Sequence, residues 1–216
     1  MIRPRPRAGL RAGFTLLEMM VVILIIGILS TYLIVNVPEW TDKAKLSACE
    51  ANMRRAYQYM VSWQADHDGQ WPKDEGSRFW LRLWKDGQFE RTASHAKMFF
   101  CPSEPYQDFD LDDETVIDYL NDWDALTDGA VSYAGFTTGG DRQLRAALRK
   151  HPGKTAILAD GHFTHRTALV YMTADGVAHR LLRSEVEEQL GIDLDVDDVF
   201  PGPGCEIEVL RTVSTD

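Results

Sequence analysis

From Met19 to Val37 the chain runs for nineteen residues without a charged side chain. As a helix rising 1.5 Å per residue, that run covers nearly all of the roughly 30 Å hydrocarbon layer of a bilayer. Upstream stand Arg3, Arg5, Arg7 and Arg11 with no acidic residue among them. An ordinary secretory signal carries its small-residue cleavage site after the apolar run and then loses the run. Here the small residue, Gly13, comes first, and Ser30-Thr31-Tyr32 is a poor match to a later site. A cut at Gly13 leaves the apolar helix in place as the new N-terminus.

Glu18 is the residue that a plain anchor does not explain. A charged side chain costs about 2.5–3.5 kcal/mol at the centre of a membrane helix and less near the interface, so it calls for a partner. Cleavage before Phe14 creates one: an α-amino group with a reference pKa of about 7.7–8.0 is largely protonated at neutral pH. Phe14 and Glu18 are one helical turn apart, so Glu18 reaches its own terminus or that of a neighbouring subunit. The alternative is a Glu18 solvated by headgroups at the cytoplasmic interface, and charge placement leaves both readings open.

The segment GFTLLEMMVVILIIGIL resembles the N-terminus of type IV pilins and of the pseudopilins of type II secretion systems, which are made as prepilins. The resemblance implies a prepilin peptidase cutting between Gly13 and Phe14, methylation of the Phe14 amine, and Glu18 as the acidic residue that guides assembly. The positive-inside rule places the leader arginines in the cytoplasm and the rest of the chain, after Val37, in the periplasm or outside. Tyr32 and Trp40 are candidate interfacial aromatics, with a core position the equal alternative for Trp40, and Pro38 is expected to bend the helix.

Removing the leader takes the net charge from −10 to −14. Such acidity argues against a nucleic-acid surface, which needs clustered Lys and Arg, and leaves divalent cations open. The remaining residues suffice for one domain with its own core. Residues 41–66 read as a helix that prolongs the membrane segment, stopped by Asp68-Gly69 and Pro72, and residues 77–85 as a second helix placing Phe79, Leu81, Leu83 and Trp84 together. Further on, the apolar runs at 155–159, 169–173 and 177–182 read as strands, with Asp160-Gly161 and Asp175-Gly176 as turn signals. Ser184-Glu185-Val186-Glu187 reads as a capping box and Gly191 as a helix stop.

The segments CEANMRRAYQYMVSWQADHDGQWP, FFCPSEP, SYAGF and HPGKTAILADGHF look like landmarks of large planctomycete-type prepilin families that end in a histidine and aspartate-glycine signature. His151 and Asp160-Gly161 are separated by eight residues where that signature has nine, consistent with a shortened turn. Because Cys49 and Cys101 both fall inside these landmarks, the resemblance favours a disulfide between them, with Cys205 the spare or the rival partner for Cys101. All three remaining as buried thiols is the other possibility.

Asp108, Asp110 and Asp112 begin like a calcium loop, as do Asp193, Asp195 and Asp197, but Asp113 and Asp198 stand where the EF-hand needs glycine, and Tyr119 and Gly204 where it needs the bidentate glutamate. Solvated acidic loops are the preferred reading, with calcium a weaker one. His162 and His165, three apart, would face opposite sides of a strand, which disfavours a shared metal; His151 and Asp160 are expected to hold a turn together. The sequence has no C-x-x-C, H-E-x-x-H, P-loop or G-x-S-x-G motif.

The expectation is an α+β, pilin-like chain: a cleaved basic leader (1–13), a transmembrane helix (14–37), its extension (38–68) and a globular domain with a small antiparallel sheet (69–216). It would be no enzyme and need no cofactor, but serve as a subunit of a secretion pseudopilus or a minor pilin in the inner membrane. Its partners would be prepilin peptidase, other pilin subunits, an inner-membrane assembly platform and the lipid bilayer, with no nucleic acid. A membrane-tethered periplasmic binding module that uses the prepilin signal for sorting alone is the alternative.

Overall fold

The computed structural model describes residues 14–126, 129–191, 193–194 and 201–215. The leader, Gly13 and residues 195–198 of the second acidic stretch lie outside them. The chain divides into two compact units between Thr41 and Asp42, and the helix α1 (Leu16–Asp66) supplies residues to both.

In the first unit, Leu16–Ile34 is the stretch long and apolar enough to cross a membrane, at a mean hydropathy of 2.4. Its large side chains are exposed on every side, which calls for an apolar surrounding. The polar residues turn back onto the helix: the Thr31 hydroxyl donates to the Gly27 carbonyl at 3.0 Å and the Asn36 amide to the Tyr32 carbonyl at 2.8 Å. Each then directs a donor onto the helix backbone. Pro38 lies inside α1 and does not end it. Trp40 is exposed and meets Tyr32 edge-on at 6.3 Å.

In the second unit, α1 turns one face inward. Asp42, Leu46, Cys49, Met53, Ala56, Met60 and Trp63, spaced alternately by four and three, are all buried. That spacing makes one stripe along a helix. After Asp66 the backbone reverses through Asp68 (φ 54°) and Gly69 (φ 67°), as the sequence predicts. α2 (Ser77–Lys85) coincides with the predicted helix and buries Phe79, Trp80, Leu81, Leu83 and Trp84. Its indoles find partners: Trp80 Nε1 donates to the Ile157 carbonyl at 2.7 Å and Trp84 Nε1 to Asn121 Oδ1 at 3.0 Å.

Two short helices follow, α3 (Ala93–Ala96) and α4 (Thr115–Asn121). The sheet then begins with β1 (Tyr133–Phe136) and, after α5 (Arg142–Lys150), continues with β2 (Ala156–Asp160), β3 (Ala168–Thr173) and β4 (Ala178–Leu182). α6 (Arg183–Leu190) and β5 (Val213–Ser214) complete the domain. The strand order is β4-β3-β2-β1-β5, antiparallel throughout. Side-chain alternation divides the core between the two faces. Tyr133, Ile157, Val170 and Met172 join α1 and α2 on one side, while Ala134, Ala159 and Leu169 pack with Val186 of α6, Ile207 and Leu210 on the other. Gly135 is required where β1 passes the start of α2, because a Cβ there would run into the Gly76 carbonyl. The result is an α+β domain with one small antiparallel sheet, as expected.

Three local expectations change. The Asp175-Gly176 turn does join β3 and β4, with Gly176 at φ 84°, but β2 and β3 are connected by the seven-residue loop 161–167 and not by a tight Asp160-Gly161 turn. α6 starts one residue before the predicted Ser184 cap and has no side-chain cap, whereas Gly191 ends it at φ 68° as predicted. Asp160 does not brace His151: its carboxylate points to Cys49 and the Val170 amide.

Candidate functional sites

The first site is the start of α1. Thr15 is the residue before the helix and Glu18 lies in its first turn, a T-x-x-E capping box. Glu18 Oε2 accepts from the Thr15 amide at 2.7 Å and from its hydroxyl at 2.9 Å, and the Thr15 Oγ1 accepts in return from the Glu18 amide at 3.2 Å. The carboxylate of an otherwise uncharged span therefore satisfies a backbone donor of the residue that follows Phe14. Phe14 is itself 79% exposed. Glu18 was expected to reach its own terminus at Phe14 or that of a neighbouring subunit; within the chain its partner is Thr15, three residues earlier, where the T-x-x-E spacing was the signal.

The second site is a closed polar cluster within the domain. Cys49, Cys101, Asp160 and His165 have their ligand-type atoms all within 4.8 Å of one another, and every one of the four residues is fully buried. Each comes from a different place: Cys49 from the inner stripe of α1, Cys101 from just beyond a 3-10 turn (Lys97–Phe99), Asp160 from the end of β2, His165 from the 161–167 loop. The Cys49 thiol donates to Asp160 Oδ1 at 3.1 Å, and Cys101 Sγ lies 3.3 Å from His165 Nε2. A surrounding layer fixes these groups. Tyr133 OH donates to Cys49 Sγ at 3.4 Å, the Ser103 amide to Cys101 Sγ at 3.4 Å, and the Val170 amide to Asp160 Oδ2 at 2.8 Å. His165 Nδ1 faces Ser103 Oγ at 3.0 Å and Asp42 Oδ1 at 3.9 Å. Asp42 is in turn held by the Arg166 amide and the Thr167 hydroxyl.

Electrostatics makes the four unequal. The adjacent Cys49 thiol takes Cys101 down to about 4, against the effect of burial, and contact with His165 adds to this. Burial and the neighbouring Cys101 charge push Asp160 up to about 8. Burial also drives Cys49 well up. His165 is held above its usual value, burial being outweighed by the Cys101 sulfur. The cluster can thus carry a thiolate-imidazolium pair beside a protonated thiol and carboxyl. Its donor set of two sulfurs, one imidazole and one carboxylate is also one that a metal ion can use.

Of the predicted site residues, Cys49 and Cys101 do meet, as free thiols side by side. Cys205 is half-buried in the other core, on the opposite side of the sheet. His162 lies 3.7 Å from Glu104, apart from His165. His165 joins the cluster without His162, and it does so from the loop 161–167, where strand alternation does not apply. Asp112 is used locally, its Oδ1 accepting from the amides of Glu114 and Thr115 at the start of α4. Asp110 ends a 3-10 turn (Tyr106–Phe109) at φ 59°, and Asp108 lies within that turn. The landmark segments of the sequence supply Cys49, Cys101, Tyr133 and Asp160, so all four segments meet at this cluster.

Comparison with known proteins bears on the first site. Residues 10–34 match the prokaryotic N-terminal methylation motif. The chain is 38% identical over 60 residues to the ComG operon protein 3 homolog of Bacillus licheniformis, an alignment covering 28% of this chain and 62% of that relative. No solved structure matches. The motif, this relative and Leu16–Ile34, the one membrane-length apolar helix among the described residues, together support a membrane-anchored, type IV pilin-like prepilin.

Proposed function

We propose that the chain is cut between Gly13 and Phe14 by a prepilin peptidase, methylated on the Phe14 amine, and built into a pseudopilus or pilus as a minor, non-enzymatic subunit. The observation that carries this reading is Glu18: the acidic residue of an uncharged span, one turn from Phe14 and fixed at the helix start by Thr15. The leader holds the precursor in the inner membrane with its N-terminus in the cytoplasm and its domain in the periplasm or beyond. Cutting releases a cationic amine. Glu18 then pairs with the amine of an adjacent subunit while the apolar helices bundle, excluding lipid from the ion pair. The assembly platform and the other subunits of the filament are the partners. The domain, whose landmark segments converge on one buried cluster, is of the planctomycete prepilin type.

Glu18→Ala and Glu18→Gln separate charge from capping, since Gln keeps an acceptor for the Thr15 amide. Both variants are expected to insert and lose the leader normally but to fail in assembly, read as sheared filament or pseudopilus yield. Normal yield from Glu18→Gln would assign Glu18 to capping alone. The tethered binding module has one observation in its favour, an open groove of about 860 Å3 lined by Thr138, Leu144, His151, Lys154 and Arg211. Deletion of the gene with loss of neither filaments nor secreted proteins would favour that reading.

A further inference from the structure

We propose that Cys49, Cys101, Asp160 and His165 are the ligands of one structural zinc ion that ties α1 to the sheet. Zinc in structural sites takes four N, S or O ligands in a tetrahedron, with Zn–S about 2.3 Å and Zn–N about 2.0–2.1 Å, so neighbouring ligand atoms lie roughly 3.5 Å apart. The Cys101 Sγ to His165 Nε2 separation of 3.3 Å and the Cys49 Sγ to Asp160 Oδ1 separation of 3.1 Å are within a few tenths of that edge. All four atoms already sit within 4.8 Å of one another. The mixture of soft thiolates with imidazole suits zinc better than calcium or magnesium, which take oxygen.

The surroundings are those of a ligand set. A metal-bound histidine coordinates through one nitrogen and gives the other N–H to a carboxylate or similar acceptor, which fixes the ring. His165 presents Nε2 to the cluster while Nδ1 faces Ser103 Oγ and Asp42. Asp160 offers Oδ1 and has Oδ2 anchored by the Val170 amide. Donors from Tyr133 and Ser103 reach the two sulfurs, where they would stabilise thiolates. The Cys101, His165 and Asp42 arrangement also has the outline of a nucleophile, base and orienting acid. A catalytic site needs an open position, however, and these residues are sealed from solvent. The closed set therefore fits a structural ion. Two thiolates, one carboxylate and Zn2+ leave one net negative charge, against three without the ion, so zinc relieves the repulsion that otherwise forces protons onto the cluster.

The test uses the full-length chain in detergent, purified with its thiols reduced, loaded with equimolar zinc and desalted, with metal measured by mass spectrometry. About one zinc per chain is expected. Cys101→Ser and His165→Ala should lose more than nine-tenths of it, Cys205→Ser should keep it, and Tyr133→Phe should weaken retention by about tenfold. Cobalt in place of zinc reports the ligands without any mutation, through a thiolate-to-cobalt charge-transfer band and the strong ligand-field bands of a tetrahedral site. The proposal is overturned by a chain that retains no zinc, by equal retention in Cys101→Ser, by a cobalt complex lacking the thiolate band, or by a metal-free Cys49–Cys101 disulfide in protein extracted from its native membrane.

Discussion

Helix α1 is made of two kinds of surface. Between Leu16 and Ile34 it is apolar all round and exposed; from Asp42 to Trp63 it is apolar along one stripe and charged elsewhere. The backbone is the same, so the difference lies in what each stretch must satisfy. The first suits lipid or other apolar helices, and its Thr31 hydroxyl bonds back onto the helix. The second has one sheet to meet on one side and water on the other. Along one continuous helix the pattern of apolar residues thus changes between the membrane-length stretch and the domain stretch.

The largest effect that can break this comparison comes from truncating one side chain in each stretch. Met60→Ala should lower the domain's stability by about 2–5 kcal/mol, because it leaves a cavity at a fully buried position. Ile25→Ala should change it by less than about 0.5 kcal/mol. Thermal unfolding of both variants in one detergent checks this, and equal losses would mean that the two stretches are not distinct. A charge reverses the pattern. Ile25→Lys should cost about 2.5–3.5 kcal/mol of membrane insertion, visible as protein released by carbonate extraction; Ser47→Lys, on the exposed side of the domain stretch, should leave extraction unchanged. The smallest effect is at the helix start. Thr15→Ala removes the two hydrogen bonds of the Thr15 hydroxyl and keeps that of its backbone amide to Glu18; it should cost about 1 kcal/mol, speeding amide exchange in the first turn by roughly five- to tenfold.

Much of this organisation is legible in the sequence, for physical reasons. Lipid imposes a length and a composition that nineteen uncharged residues state openly, and Gly13, Phe14 and Glu18 mark the processing motif. α2 and the β3-β4 hairpin are local, encoded by short-range apolar spacing and an aspartate-glycine turn. The inner face of α1 was less legible: the alanines Ala44, Ala48 and Ala51 are exposed, and the stripe runs through Leu46, Cys49 and Met53. The buried cluster was not legible at all. Its members lie far apart in the chain and no metal-binding spacing joins them. His165 was discounted by a strand rule that does not apply to the loop it occupies. Only the tertiary contact of α1 with the sheet brings Cys49 beside Asp160.

Assembly through Glu18 requires that α1 become the N-terminus of the mature protein. Mass analysis of the N-terminal peptide, from membranes of cells that contain a prepilin peptidase, tests it most directly. The expected result is a chain beginning at N-methylated Phe14 with the apolar stretch intact. A chain that keeps residues 1–13, or one cut after the apolar run so that Leu16–Ile34 is gone, would contradict it.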